Sequence, residues 1–483
     1  MVYFREFLSW LGNYMLPADY AAYAIYADII LKDSSWLHTA SVTQPNLKDI
    51  FDDSFVSETT RRLPGYPLFI AFIRYIFGTI GTEWRGFLVF AQLVLLIWSG
   101  YALYRLARKL GMRPWIRWVL FVGYTTGYPF CYALLLNTNS IHCSLAVIAL
   151  VLSISACLND RTPRMLGLAS CLFILCLWRE SGFLFTLSLF FLWGGMAIQC
   201  RWRDCCKMSI ICLGVAFVVN EGLCQWNQYR TGERFASAGF LTAYAAPLSD
   251  LAQVAPFFLD HTCLRGYRHI LTESRTDCPF ADVCGAIAQK MYKEQLSARQ
   301  MLDMLTNDYI TGWLKFPIEQ FKVRFINKRS LGWLTYSTLW PFSGFSSIEK
   351  NYFPKDRFSK EELWGGWDPP KGILPNFIVL FHLITSCILS LFCLFYVCVY
   401  VYEFFKKGFS GKIDNRHLLY LGIFLQASSC IFITLLVHME YRYVLDSISM
   451  ISLLGWWAVE KTLRKSNFNR MTSIYRKLLL WVK

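Results

Sequence analysis

Charge is what this chain is short of. Of its 483 residues, 17% are Asp, Glu, Lys or Arg, against about 25% in a soluble domain. The deficit falls in long apolar runs: 55% of residues are hydrophobic and the mean hydropathy is +0.35. Runs of that length point to bilayer-spanning helices and away from a soluble enzyme. The seven histidines form no Cys/His spacing suited to zinc, and no CxxC pair is present. The phosphate-binding P-loop, the dinucleotide Gly motif and the zinc-protease motif are all missing. Asp52-Asp53 is not a DxD arrangement, so no metal and no cofactor are expected. An internal repeat and the broken Gly/Pro helix pair used by transporters are also missing. So is a secretory signal with a cleavage site. Residues 1–35, which carry Arg5, Glu6, Asp19 and Asp28, hold no clean apolar run.

Seventeen cysteines are present. Cys143, Cys171, Cys176, Cys212, Cys387, Cys393 and Cys430 lie in apolar runs, where the thiol behaves as a small hydrophobe. Cys263, Cys278 and Cys284 lie in a long polar stretch, where two of them can pair if it faces an oxidising compartment.

The net charge of +15 raises nucleic acid as a partner, but the Lys and Arg cluster at the ends of apolar runs. That pattern is a topology signal, so no nucleic acid is expected. The spanning candidates are 86–104, 115–135, 140–158, 165–178, 181–199, 208–224, 374–402, 418–437 and 444–460. If these nine alternate, five basic segments fall on one side: Arg105–Arg117, Arg161 with Arg164, Arg201–Lys207, Lys406–Arg416 and the tail from Lys461. That side is cytoplasmic by the positive-inside rule.

The expected fold is therefore an all-α polytopic membrane protein with about nine transmembrane helices and a large, mostly helical non-cytoplasmic loop. Residues 1–85 form a non-cytoplasmic N-terminal region with interfacial helices. Residues 86–224 span the membrane, 225–373 form the loop domain, 374–460 span again, and 461–483 are a basic cytoplasmic tail. Within the loop, 284–330 has helical apolar spacing through Met301, Leu302, Met304, Leu305, Ile310, Trp313, Leu314 and Phe316. With its Trp and Lys content, this segment suits helices on the membrane surface.

Polar groups of interest gather on the non-cytoplasmic face. Asp19, in Pro17-Ala18-Asp19-Tyr20, is either a general base for an acceptor hydroxyl or an ordinary loop acid or helix cap. Arg179 and Glu180 separate two apolar runs. They are either functional charges, with the Arg fork on a phosphate, or a solvated interfacial turn. His438-Met439-Glu440-Tyr441-Arg442-Tyr443 either positions an anionic headgroup or is an aromatic belt with a salt bridge. Arg61 and Arg62, before the turn Leu63-Pro64-Gly65-Tyr66, either meet phosphate or are a solvated pair.

Five segments, in order, resemble the GT-C superfamily of membrane glycosyltransferases. The resemblance is strongest to the dolichyl-phosphate-mannose-protein mannosyltransferase-like branch that includes the aminoarabinose transferases. They are Asp19-Tyr20-Ala21-Ala22-Tyr23-Ala24, Pro64-Gly65-Tyr66-Pro67-Leu68-Phe69-Ile70-Ala71, Leu103-Tyr104-Arg105-Leu106-Ala107-Arg108-Lys109-Leu110-Gly111, Trp226–Phe235 with Ser237, and Glu440-Tyr441-Arg442-Tyr443-Val444-Leu445. The chain departs from the family in three places. The spanning helix expected before the acid is absent, Asn137-Thr138-Asn139 stands where a carboxylate is common, and Asp446 stands where a proline is usual.

The resemblance implies transfer of a sugar from a polyprenyl-phosphate carrier to a lipid, glycan or protein acceptor on the non-cytoplasmic face. It implies a multi-pass protein of the bacterial plasma membrane. Asp19 would be the base, Arg61, Arg62, Arg179 and Arg442 would face the lipid phosphate, and Glu440 would orient Arg442 or an acceptor. Two other readings stand beside it: a transporter or lipid flippase, and an inactive GT-C-like membrane protein.

Overall fold

The computed structural model describes residues 6, 20–32, 34–38, 62–78, 83–126, 128–133, 138–159, 162–197, 202–237, 239, 244, 247–248, 251–252, 255–265, 286–287, 289–291, 293–322, 373–407, 415–437, 447 and 449–464. Among them the regular structure is helical, with no strand. A bilayer has no water to satisfy backbone N–H and C=O groups, and a helix satisfies them within its own segment.

The chain runs through α1 (Tyr20–Lys32), α2 (Gly65–Phe77), α3 (Glu83–Lys109), α4 (Pro114–Thr126), α5 (Tyr128–Ala133), α6 (Asn139–Asn159), α7 (Thr162–Trp178), α8 (Glu180–Ala197) and α9 (Trp202–Thr231). A smaller lobe follows, with α10 (Ala298–Lys315) and α11 (Pro317–Phe321). After it come α12 (Ile373–Lys407), α13 (Asn415–Val437) and α14 (449–464).

Three helices among the described residues are long and apolar enough to cross a membrane: Glu83–Lys109, Asn139–Ala156 and Arg203–Thr231. Shorter apolar helices cover Gly65–Phe77, Arg164–Trp178, Glu180–Gly194 and Ile388–Glu403. The chain is an integral membrane protein. Helix covers most of each expected span, but 115–135 is divided between α4 and α5. Pro129 stands at the start of α5 and brings no N–H to a continuous helical ladder.

One core unites α1 to α9 with α12 to α14, centred on Leu88, Leu103, Ala146, Leu150, Trp193, Tyr420 and Trp457. Between helices in lipid, close packing and hydrogen bonds supply the cohesion, because lipid tails are as apolar as Leu. The Gln92 amide donates to the Ala133 carbonyl at 2.8 Å and accepts from the Tyr66 hydroxyl at 3.2 Å. Tyr420 donates to the Leu454 carbonyl at 3.1 Å, and the Cys430 thiol donates to Ser188 at 3.3 Å. Cys143, Cys171, Cys176, Cys212, Cys393 and Cys430 are buried, as small apolar residues would be. Cys278 and Cys284 lie outside the described residues, and Cys263 is free. Phe72, Trp98, Phe191, Phe217 and Phe395 are exposed on helix surfaces, the orientation expected of groups that face lipid.

One end of the bundle is basic. Glu460, 2% exposed, accepts from the Arg113 backbone N–H at 3.0 Å and from Arg464 Nε at 2.6 Å. Beside it, Lys109 donates to Ser155 Oγ at 2.9 Å and Arg164 to the Ser155 carbonyl at 2.8 Å. The ends of α3, α6 and α14 and the starts of α4 and α7 therefore meet at this end.

Candidate active site

The opposite end is organised around the single non-helical residue between α7 and α8. Arg179 N–H donates to the Leu175 carbonyl at 3.3 Å, and the Arg179 carbonyl accepts from Gly182 N–H at 2.9 Å. A Cβ on Gly182 would lie 2.2 Å from the Leu175 oxygen, so no larger residue lets the two helices turn this tightly. α2 starts against the same turn. A Cβ on Gly65 would lie 2.7 Å from the Leu177 oxygen, and Trp178 lies beside Tyr66 and Phe69 with ring centroids 6.0 and 5.6 Å apart.

The Arg179 side chain donates to the carboxamide oxygen of Asn139, the first residue of α6. One turn on, His142 is buried, and its Nε2 lies 3.1 Å from Ser181 Oγ. Glu180 accepts from Ser237 Oγ at 3.1 Å. A small apolar cluster joins Leu63, Leu177, Phe183, Val219, Leu223 and Ala236. It brings the neighbours of Arg62, of the Arg179–Glu180 turn and of Ser237 together. The Arg62 guanidinium lies 5.0 Å from the centre of the Tyr23 ring, and Tyr23 packs edge-on to Tyr66 at 5.1 Å.

Of the residues singled out from sequence, the structure brings Arg62, Arg179 and Glu180 to this end. Asp19, Arg61, Glu440 and Arg442 lie outside the described residues. Asn139, His142, Ser181 and Tyr23 complete the neighbourhood without having been assigned a role. The available signal for two of them was a polar pair, Asn139 and His142, on one face of an otherwise apolar run.

The Trp226–Phe235 motif closes the side of this end. Arg230 donates twice to the Asn227 amide oxygen, at 2.9 and 2.7 Å, and once to the Trp36 carbonyl at 3.3 Å. Its guanidinium lies 3.9 Å from the Trp226 ring centre. The Asn227 amide donates to the Phe235 and Ala236 carbonyls at 2.8 and 3.0 Å, which folds the chain back toward Ser237. Trp226 donates to the Leu37 carbonyl at 3.0 Å. Tyr26 is fully buried; burial pushes its phenol up to about 12, against the pull of the neighbouring Arg230 charge. The motif therefore acts as a clamp between α9 and the segment after α1.

Chemically, this end offers two guanidinium groups for an anion, a carboxylate held by a serine, and an imidazole beside a hydroxyl. Planar guanidinium matches phosphate oxygens in geometry as well as charge. Among the described residues, no group of three His, Cys, Asp or Glu side chains is arranged to hold a metal ion.

No family model and no curated protein matches the chain. Solved structures do resemble it. The apo oligosaccharyltransferase of Archaeoglobus fulgidus matches 98% of this chain at 11% identity and a TM-score of 0.48, over 51% of its own length. AglB of the same organism, solved with an inhibitory peptide and a dolichol-phosphate, matches 98% of this chain at 12% identity and a TM-score of 0.45, over 51% of its length. ArnT from Cupriavidus metallidurans in the apo state matches 94% of this chain at 11% identity and a TM-score of 0.32, over 75% of its length. All are GT-C superfamily membrane glycosyltransferases. The chain spans about half the length of the archaeal enzymes. Similarity at this level assigns no donor, acceptor or catalytic residue to it.

Proposed function

We propose that this protein is a GT-C-type membrane glycosyltransferase that moves a sugar from a polyprenyl-phosphate carrier to an acceptor hydroxyl on the non-cytoplasmic face. The observation that carries the reading is the Arg179–Glu180 turn. Charges between two apolar helices are costly unless they serve a purpose, and here the Arg179 guanidinium donates to Asn139 and the Glu180 carboxylate accepts from Ser237, at the end that also receives Arg62. The ordered sequence motifs around Asp19, Pro64–Ala71, Trp226–Phe235 and Glu440–Leu445 support the same reading.

In this proposal nine spans alternate, the basic end is cytoplasmic and the Arg179 end opens outward from a bacterial plasma membrane. Residues 1–85 and 225–373 lie over that opening. Asp19 takes the proton of the acceptor hydroxyl as its oxygen attacks the anomeric carbon. The bond from that carbon to the carrier phosphate breaks, and the phosphate leaves with the electron pair. Arg179 and Arg442, with Arg61 and Arg62, stabilise the charge that develops on it. Glu440 orients Arg442 or the acceptor, and Glu180 contributes a fixed carboxylate to the donor subsite.

Lipid-linked sugars and surface glycans of a deletion strain test the reading. A sugar missing from the surface, with its lipid-linked donor accumulating, is the expected result. Unchanged profiles of both would sink it.

A further inference from the structure

Met301, Leu305 and Phe316 are buried in the lobe's own core with Leu251 and Phe258, so these three do not face a membrane. The start of α10 instead meets α9, and between the two lies a cavity of about 520 Å³. Local structure fixes its walls. α9 ends at Thr231, and Gly232, at φ +79°, turns the chain back along the helix. Thr231 Oγ1 accepts from the Glu233 N–H at 3.1 Å and holds that turn. Arg234 then reaches back to Glu221, where its Nη2 donates to both carboxylate oxygens at 2.7 and 2.6 Å. The Gln225 amide donates to the same carboxylate at 2.7 Å, and the Asn227 amide pins Phe235 and Ala236. On the far side, a capping box of Ser297 and Gln300 sets the first turn of α10. There the Arg299 N–H donates to the Glu233 carboxylate at 3.3 Å.

The lining selects a class of ligand. The cavity, about 520 Å³, falls within the range of about 300–1,000 Å³ typical of small-molecule sites. Phe235, Ala236 and Leu302 are buried or half-buried in it, whereas Asn220, Arg234 and Arg299 are exposed at its mouth. The mouth thus offers planar groups that donate and accept hydrogen bonds, over an apolar interior. Each guanidinium already faces an acid, Arg234 on Glu221 at 2.6 Å and Arg299 on Asp303 at 3.2 Å. An anion would meet no surplus of positive charge. Extended peptides bind by adding a strand to a sheet edge, and the described residues contain no strand. A sugar fits both features: its hydroxyls suit the paired planar groups, and its C–H face suits the apolar wall.

The cavity adjoins the Arg179 end. Ala236, in its wall, packs with Leu63, Leu177 and Phe183, and the next residue, Ser237, donates to Glu180 at 3.1 Å. A single Cα step, about 3.8 Å, separates the cavity wall from the residue that holds the Glu180 carboxylate.

We propose that this cavity is the acceptor subsite and that the acceptor is a glycan, its outer sugars held between α9 and α10. Binding of the glycan stands on the cavity alone; its role as acceptor rests on the transfer reading above.

Cys224 lines the cavity, half-buried and without a disulfide partner, so it reports occupancy. The full chain in nanodiscs is treated with N-ethylmaleimide, and modification of each cysteine is read by peptide mass spectrometry. The probe is the water-soluble glycans released by mild acid from the envelope of a deletion strain. They should slow modification of Cys224 about tenfold at roughly ten times their half-saturating concentration. Cys206, near the start of α9, should be unaffected. Arg234→Gln removes a hydrogen-bonding group and Leu302→Trp fills the space, and each should abolish the protection. The intact lipid extract of the same strain separates the sources: if it protects as well, the glycan is carried on a lipid, and if only the released glycans protect, it is not. Absence of protection by either overturns the site, as does protection that survives in both variants. Protection by polyprenyl phosphate or by peptides of envelope proteins also overturns it, because donor or protein then fills the cavity. Protection in a chain that transfers no sugar supports the glycan site and removes the transfer reading; transfer without protection does the reverse.

Discussion

The guanidinium of Arg179 is held by the carboxamide of Asn139, which joins the α7–α8 turn to the first residue of α6. Asn139 is neutral, so this contact positions the guanidinium without itself placing a negative charge beside it. A carboxylate in its place would compete with an anionic ligand. If this end binds a carrier phosphate, Arg179→Ala should lower kcat by about 10²–10³-fold, the typical loss when one donor to a developing anion is removed. Arg179→Lys should recover only part of it, because an ammonium lacks the planar fork. Asn139→Asp should raise the KM for the lipid-linked donor about tenfold, a loss of roughly 1.4 kcal/mol in binding. Steady-state kinetics with purified donor separates the two effects. An unchanged donor KM in Asn139→Asp argues against phosphate at Arg179.

Asp19 immediately precedes α1, whose Tyr23 lies under the Arg62 guanidinium. Removing a general base typically costs 10²–10⁴-fold, to order of magnitude, so Asp19→Asn should abolish most transfer while leaving the folded chain in the membrane. Transport or scaffolding would survive this change, which separates the enzyme from its competing readings. The check pairs a transfer assay with a thermal-stability measurement on the same preparation. Full activity in Asp19→Asn eliminates the assigned base.

Gly182 makes the Arg179 turn possible. Its missing side chain leaves the Leu175 carbonyl only 2.2 Å from where a Cβ would stand, and that atom belongs to backbone and cannot rotate away. Gly182→Ala should therefore destabilise by about 1–3 kcal/mol through overpacking and move Arg179 as well. A lower Tm with a proportionate loss of transfer is expected. Gly167→Ala is the control, because its nearest neighbour is the Leu152 side chain at 3.7 Å.

Much of this architecture was legible in the sequence, and the reasons for the gaps are physical. Apolar runs ending in Lys and Arg announce spanning helices, and the Arg179–Glu180 pair announced a turn because two adjacent charges cannot continue an apolar helix unnoticed. Periodicity does not reveal tertiary partners, however. Asn139 read only as the place where a carboxylate was missing, and its contact with Arg179 depends on how α6 packs beside α7. The stripes of α10 show the same limit. Met301 and Leu314 share one apolar pattern, yet one enters the lobe's core and the other faces out. Trp226–Phe235 was legible as a motif, but its clamp on Trp36 and Leu37 joins segments far apart in the chain.

Glu460 ties the basic end together. It is buried, while its partners Arg113 and Arg464 are partly exposed, so solvent screens the attraction and only part of a buried pair's worth remains. Glu460→Gln keeps the shape and one acceptor but leaves Arg113 and Arg464 less compensated. A loss of about 1–2 kcal/mol is expected, in the range of hydrogen bonds to charged groups. Thermal unfolding in nanodiscs reads it, and the loss should shrink in high salt. A salt-independent loss would mean that packing, not charge, holds the clasp.

The lobe carries its own pH dependence through Asp308. Its carboxylate accepts from the Cys263 N–H at 3.1 and 2.9 Å, and burial raises its pKa above the ordinary 3.8. Burial, reinforced by Asp308, also raises the Cys263 thiol. The hydrogen bonds from the Cys263 thiol and N–H, and then Lys290, itself paired to Glu294 at 2.5 Å, pull Asp308 only partway back. A carboxyl that is harder to ionise when folded binds its proton more tightly in the native lobe than in the unfolded chain. Stability is therefore greatest below the ordinary carboxyl pKa, and falls as pH rises from there through the raised folded value. Asp308→Asn keeps an oxygen for the Cys263 N–H and removes the ionisation. The variant should match the parent in thermal unfolding at acidic pH and exceed it at neutral pH, with the gap opening across that window. A parent more stable than Asp308→Asn at neutral pH would show that the ionised carboxylate, rather than its burial, dominates the lobe.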